Sequence, residues 1–66
     1  MQADVTAGAG RLLTVKEVAA RLRTSTAMVY TLCARGSLGH VRISTNAIRV
    51  PEGELSLFIG RRLVPR

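Results

Sequence analysis

The sequence predicts a mainly α fold with one small β-hairpin, in the order helix, helix, hairpin, helix. Three observations carry this expectation. Two short runs with apolar residues at helical spacing are separated by a tight polar turn, residues 23–24. The apolar period then changes from 3.6 to 2 around Arg42 and Arg49. Finally, Pro51 opens a third run at helical spacing.

The first helix is announced at Thr14. Thr14-Val15-Lys16-Glu17 fits a capping box, in which hydroxyl and carboxylate satisfy exposed backbone amides reciprocally. Val15, Val18, Ala19 and Leu22 follow at i, i+3, i+4 and i+7, so one face is apolar from Val15 to Leu22 or Arg23. Arg23 and Thr24 make a turn, and Ser25 is placed to cap a second helix. Val29, Leu32 and Cys33 supply its core stripe, with Met28 at the margin, and Gly36 ends it where a left-handed residue is needed. Two short helices joined so tightly are the outline of a helix-turn-helix.

Val41 and Ile43 alternate with Arg42, and Ile48 and Val50 with Arg49. Ser44-Thr45-Asn46 supplies turn chemistry between them. The expected result is a two-stranded wing with its apolar face inward and both arginines outward, packed on the helices because a lone hairpin is marginal. Pro51 then suits the first turn of a third helix, with Glu52 and Glu54 near the positive end of its dipole. Leu55, Phe58 and Ile59 form its stripe, Leu57 lies off it, and Gly60 with Arg61 and Arg62 ends it. The fold is therefore a winged helix-turn-helix.

Composition narrows the function. At 66 residues with 47% hydrophobic and 21% charged residues, the chain is a single small domain with an aliphatic core, since Tyr30 and Phe58 are its only aromatics. Ten cations against four acids give a formal charge of +6, and nine of the ten are arginine. A small domain this basic meets a polyanion, and arginine suits phosphates and guanine edges. Cys33 stands alone, so neither a disulfide framework nor a zinc cluster is expected, and His40 has no partner at metal spacing. Nothing organises serine, histidine and acid into a nucleophile with its base, so no enzyme, cofactor or metal is expected. Without a long apolar run or secretory signal, a cytoplasmic location is expected. Residues 1–10 read as a flexible leader and 11–62 as the winged domain. Residues 63–66, Leu63-Val64-Pro65-Arg66, spell the recognition sequence of thrombin and read as a tag remnant.

Several fragments, in order, resemble excisionase-type members of the MerR-like winged-helix superfamily. They are Leu12-Leu13-Thr14-Val15-Lys16-Glu17-Val18-Ala19, Val29-Tyr30-Thr31-Leu32, Gly36-Ser37-Leu38, Val41-Arg42-Ile43 and Ile48-Arg49-Val50-Pro51. The resemblance runs from about Leu12 to Ile59. It implies that the second helix lies in a DNA major groove while the wing reaches the backbone or minor groove beside it. It also implies a bacterial or phage-derived, nucleoid-associated protein. Family members include recombination directionality factors, which bend DNA and assist integrases in excision, and transcription regulators. This chain departs from the family in carrying Thr26, Ala27 and Thr31 where basic residues are common, and in lacking glycine and aromatics at the wing turn.

The candidate contacts divide into three groups. On the recognition helix they are Ser25, Thr26, Ala27, Tyr30, Thr31 and Arg35. Threonine can hydrogen-bond a base edge, and alanine or threonine methyls can touch a thymine methyl. Tyr30 either aims its hydroxyl at a phosphate or covers the core, and Arg35 meets either a phosphate or its own helix dipole. On the wing they are Arg42, Ser44, Thr45, Asn46 and Arg49; outward cross-strand arginines would repel unless an anion lay nearby. Lys16, Arg21, Arg23 and Thr24 are candidates for the DNA backbone, with a solvated surface or simple helix capping as the plainer alternative.

The expected function is sequence-specific binding of double-stranded DNA, as an excisionase-like factor that binds and bends it, with an integrase or recombinase as a further partner. A small transcription regulator is the alternative. A module docking an integrase or polymerase subunit is the alternative of another class, for which Leu57 is a candidate contact. So few residues follow Ile59 that no long dimerisation helix is expected, but a monomer that binds adjacent repeats cooperatively.

Overall fold

The computed structural model describes residues 11–65, so the leader 1–10 and Arg66 lie outside the described residues. The elements run β1 (Leu12–Thr14), α1 (Val15–Leu22), α2 (Thr26–Ala34), β2 (Val41–Ser44), β3 (Ala47–Pro51) and α3 (Glu52–Arg62). The helices and the β2–β3 wing follow the predicted order. β1 is an addition: the residues just before the first cap pair antiparallel with β3, giving a three-stranded sheet in the order β1-β3-β2. Its three residues show no alternation long enough to register as a strand, and only the partner strand makes them one.

The capping box forms. The Thr14 amide donates to Glu17 Oε1 at 2.8 Å and the Glu17 amide to Thr14 Oγ1 at 3.1 Å. Ser25 caps α2 in the same manner, its Oγ accepting from the Met28 amide at 3.1 Å. Both helices then stop in a similar way. Gly36 ends α2 with φ +76°, and the Ser37 amide reaches back to the Leu32 carbonyl at 2.9 Å. Arg23 ends α1 with φ +56°, and the Thr24 amide reaches the Ala19 carbonyl at 2.9 Å. These are Schellman-type closures, which satisfy the last carbonyls of a helix through one left-handed residue.

The core is aliphatic as expected. Leu13, Val18, Val29, Leu38 and Val50 are fully buried, with Val15, Ala19, Leu32, Cys33, Ile48, Leu55 and Phe58 around them. Leu13 and Leu38 belong to no periodic run, so their burial is a property of the assembled fold. Burial pushes the Cys33 thiol up from its ordinary pKa, partly opposed by the charge of Arg42.

Four expectations are corrected. In the wing, Val41 lies opposite Arg49 and Arg42 opposite Ile48, and cross-strand partners share a sheet face. Arg42 therefore stands on the face of the core strand residue Ile48, while Val41 and Ile43 are exposed. The two arginines do not face one another, so their repulsion is no argument for a bound anion. An irregularity between Arg42 and Ser44 breaks the simple alternation of β2. Second, Ile59 is exposed; only Leu55 and Phe58 bury the inner stripe of α3. Third, Gly60 does not end α3, which continues to Arg62, whose guanidinium lies 4.5 Å from the Phe58 ring centroid. Fourth, Pro51 is the cap residue of α3 and the end of β3, one position before the first turn.

Two measurements check this packing. Replacing fully buried Leu38 with alanine is expected to cost about 2–5 kcal/mol in urea unfolding, as for other large-to-small core changes. The second concerns Glu17, whose carboxyl is held below its ordinary pKa first by the hydrogen bond from the Thr14 amide. Partial desolvation opposes that shift, while the Thr14 hydroxyl, Arg11 and Arg21 reinforce it. A carboxylate with a depressed folded pKa contributes stability that is present above its unfolded value and is lost as pH falls through the folded one. Urea midpoints measured from pH 7 to pH 3 should therefore fall on the acid side, and Glu17→Gln should flatten that fall.

Candidate nucleic-acid interface

Helix α2 packs chiefly against α1, through Val29, Leu32 and Cys33. With about 100° between successive residues, the positions opposite that stripe are Ala27, Thr31 and Ala34, and all three are exposed. Thr26, Met28 and Tyr30 flank them and are exposed as well, Tyr30 at 45%. Tyr30 therefore does not seal the core. The Thr31 hydroxyl donates to the Ala27 carbonyl at 3.0 Å, an internal bond one turn back. The outward surface of α2 is thus neutral and built of small side chains.

Cations stand at both ends of this neutral surface. Arg23 and Thr24 occupy the turn before it, both exposed, and Arg35 is the residue that closes α2. Arg42 is exposed on the wing, and its Nη1 donates to the Thr45 carbonyl at 3.3 Å. Ser44, Thr45 and Asn46 are exposed at the wing tip. Arg49 is set apart on the other sheet face, half-buried, donating to the Ile48 carbonyl at 3.0 Å. The structure thus places Arg23 and Arg35 at the two ends of α2 and puts Arg42 and Arg49 on opposite faces of the wing.

Two of the three acids among the described residues are paired away from α2, while the third, Glu54, lies against Gly39 between α2 and β2. Arg11 pairs with Glu17 at 3.2 Å, and Arg21 pairs with Glu52 at 3.1 Å. The Arg11 amide also approaches Glu52 Oε1 at 3.4 Å, and the Glu52 amide donates to the Arg11 carbonyl at 2.9 Å. Together these contacts tie the start of β1, α1 and the start of α3. The Arg21–Glu52 pair lines a shallow cleft with Gly53, Leu55, Ser56 and Ile59. Arg21, expected among the backbone contacts, is therefore occupied by an acid, whereas Lys16 and Arg23 have no acidic partner among the described residues. No sequence signal pairs Arg21 with a glutamate 31 positions away. Among the described residues no group of three His, Cys, Asp or Glu is placed to hold a metal ion, and no helix is long and apolar enough to cross a membrane.

Two helices, a Schellman turn and a sheet-borne wing are now in place. A family model described as a helix-turn-helix domain matches residues 12–63. The chain belongs to the helix-turn-helix domain family. The match spans every element from β1 to α3. No curated protein matches the chain, and no solved structure does. Membership in a helix-turn-helix domain family points to DNA as a partner.

Arg23 is the residue that sequence reasoning undervalued. Among the described residues it is the one non-glycine with positive φ, a conformation that costs a β-carbon-bearing residue roughly 1–2 kcal/mol. Glycine would hold the same turn more cheaply, as Gly36 does after α2. At this position the chain carries an arginine, exposed in the turn immediately before α2. Arg23→Gly is therefore expected to raise stability by about 0.5–1 kcal/mol in urea unfolding while weakening binding to duplex DNA. Its log–log salt slope should become shallower by about one unit, the share of a single phosphate contact.

Proposed function

We propose that the protein binds double-stranded DNA sequence-specifically, with α2 in the major groove and the wing on the backbone or minor groove beside it. The observation that carries this reading is the distribution of charge around α2. Its outward face is neutral, Arg23 and Arg35 stand at its two ends, and Arg42 is exposed on the wing. Base edges in a groove carry donors, acceptors and methyls without net charge, whereas the walls are anionic phosphates. A nine-residue helix is about 13 Å long, comparable with the roughly 12 Å width of the major groove. Ser25 and Thr24 lie at the helix N-terminus, where free amides add to phosphate binding.

Within that activity, we place the protein among excisionase-like directionality factors that bind and bend DNA, with an integrase or recombinase as partner. The ordered resemblance from Leu12 to Ile59 supports this role over a small transcription regulator. Contacts concentrated on phosphates, with few strong donors on α2, fit a protein that reads DNA shape and deformability. A contact with a protein partner has its own support in the exposure of Leu57 on α3, at 53%.

Fluorescence anisotropy against random duplex and single-stranded DNA, across a salt series, tests the reading. Neutralising roughly four to six phosphates predicts a log–log slope of about −4 to −5 on duplex, with weaker binding to single strands. Absent or salt-insensitive duplex binding would remove the proposal and leave the α3 surface as the functional one. Bending is read separately, by energy transfer between dyes at the ends of a bound duplex.

A further inference from the structure

We infer that this interface selects its DNA sites through the 5-methyl groups of thymine, and that Ala27, Thr31 and Ala34 are the residues that read them. The inference rests on α2 entering the major groove and names what it finds there. The three positions furthest from the core form one line along the helix, spaced i, i+4 and i+7, and each presents a methyl group as its outermost apolar atom. They are exposed, so a groove floor can approach them without rearrangement of the core.

Hydrogen bonding along this line is limited by the helix itself. Thr31 has one hydroxyl proton, and the Ala27 carbonyl already accepts it at 3.0 Å. Alanine has no polar side-chain atom. The line therefore presents no free side-chain donor to guanine O6 or N7, the commonest specific contact in the major groove. What remains is apolar contact, together with acceptor capacity on Thr31 Oγ1 that suits an exocyclic amino group. In the major groove only the A·T pair offers a methyl, and it offers the adenine amino group beside it. The donors of the interface, Arg23 and Arg35 at the ends of α2 and Arg42 on the wing, stand off this line, where phosphates lie.

The experiment selects duplex sites from a random library with the whole protein and then replaces thymine by deoxyuridine, one position at a time, in the selected site. Deoxyuridine pairs as thymine does and lacks only the methyl. At one or more positions under α2 the replacement should weaken binding about three- to five-fold, the value of one buried methyl. Thr31→Ser removes the protein methyl and keeps the hydroxyl, so it should reduce that thymine preference. Thr31→Val keeps a methyl and removes the hydroxyl, so it should retain the preference. Thr31 is exposed, so neither variant threatens the core.

Selected sites that bind equally with thymine or deoxyuridine would overturn the inference, and so would duplex binding without enrichment of any sequence. The first outcome leaves sequence-specific duplex binding, and hence the proposed function, intact; the second leaves salt-dependent duplex binding but removes the sequence specificity proposed for it. Loss of all duplex binding would instead overturn the proposed function and this inference with it.

Discussion

The burial of Val50 in the middle strand is the constraint on which the rest of the fold depends. It faces Leu13 across β1 and is fully closed to solvent. A strand with a neighbour on each side has both of its backbone edges satisfied, and β3 is the only strand of this sheet so placed. From it, β2 extends as the wing, α3 departs at Pro51, and α1 packs against the same strand. In a domain this small and nearly without aromatics, one central strand contacting four other elements compensates for the lack of large side chains.

This arrangement separates structural charge from functional charge. Arg11 and Arg21 neutralise Glu17 and Glu52 where β1, α1 and α3 converge. These pairs are partly exposed, so each contributes little to stability by itself. Their larger effect is on the field: Glu17 and Glu52 are matched by cations on their own side, and of the described acids Glu54, against Gly39, is the one in neither pair. Arg23 and Arg35 at the ends of α2, and Arg42 on the wing, are in no ion pair among the described residues. An interface that must approach phosphates gains from that matching, because unmatched acids would repel the duplex.

The wing shows how register overrides composition. Counting alternation, Val41 and Ile43 belong inside and Arg42 outside. Pairing with β3 reverses this, because the side chains of partnered residues share a face and Ile48 is already committed to the core. The reversal exposes two apolar residues on a short edge strand and puts Arg42 on the face of Ile48. Edge strands have half their backbone groups unpaired, and a bulge and a charge are usual ways of discouraging further pairing. The irregularity beside Ile43 and the arginine at position 42 supply both.

The sequence alone determined the two caps, the three helices, the glycine stop of α2 and the core stripes of α1 and α2. These depend on neighbours within about four residues, which a linear reading contains. It also determined the candidate surface of α2, since the face opposite a known core stripe follows from helical geometry. Only the tertiary structure decided that Leu12–Thr14 is a strand, that Leu13 and Leu38 are core, and that Arg21 belongs to Glu52. It alone separated Arg42 from Arg49 and gave Arg23 its left-handed conformation. Each of these depends on a partner distant in sequence or on the balance between a local strain and the packing that sustains it. Neither quantity is written in the spacing of residues along the chain.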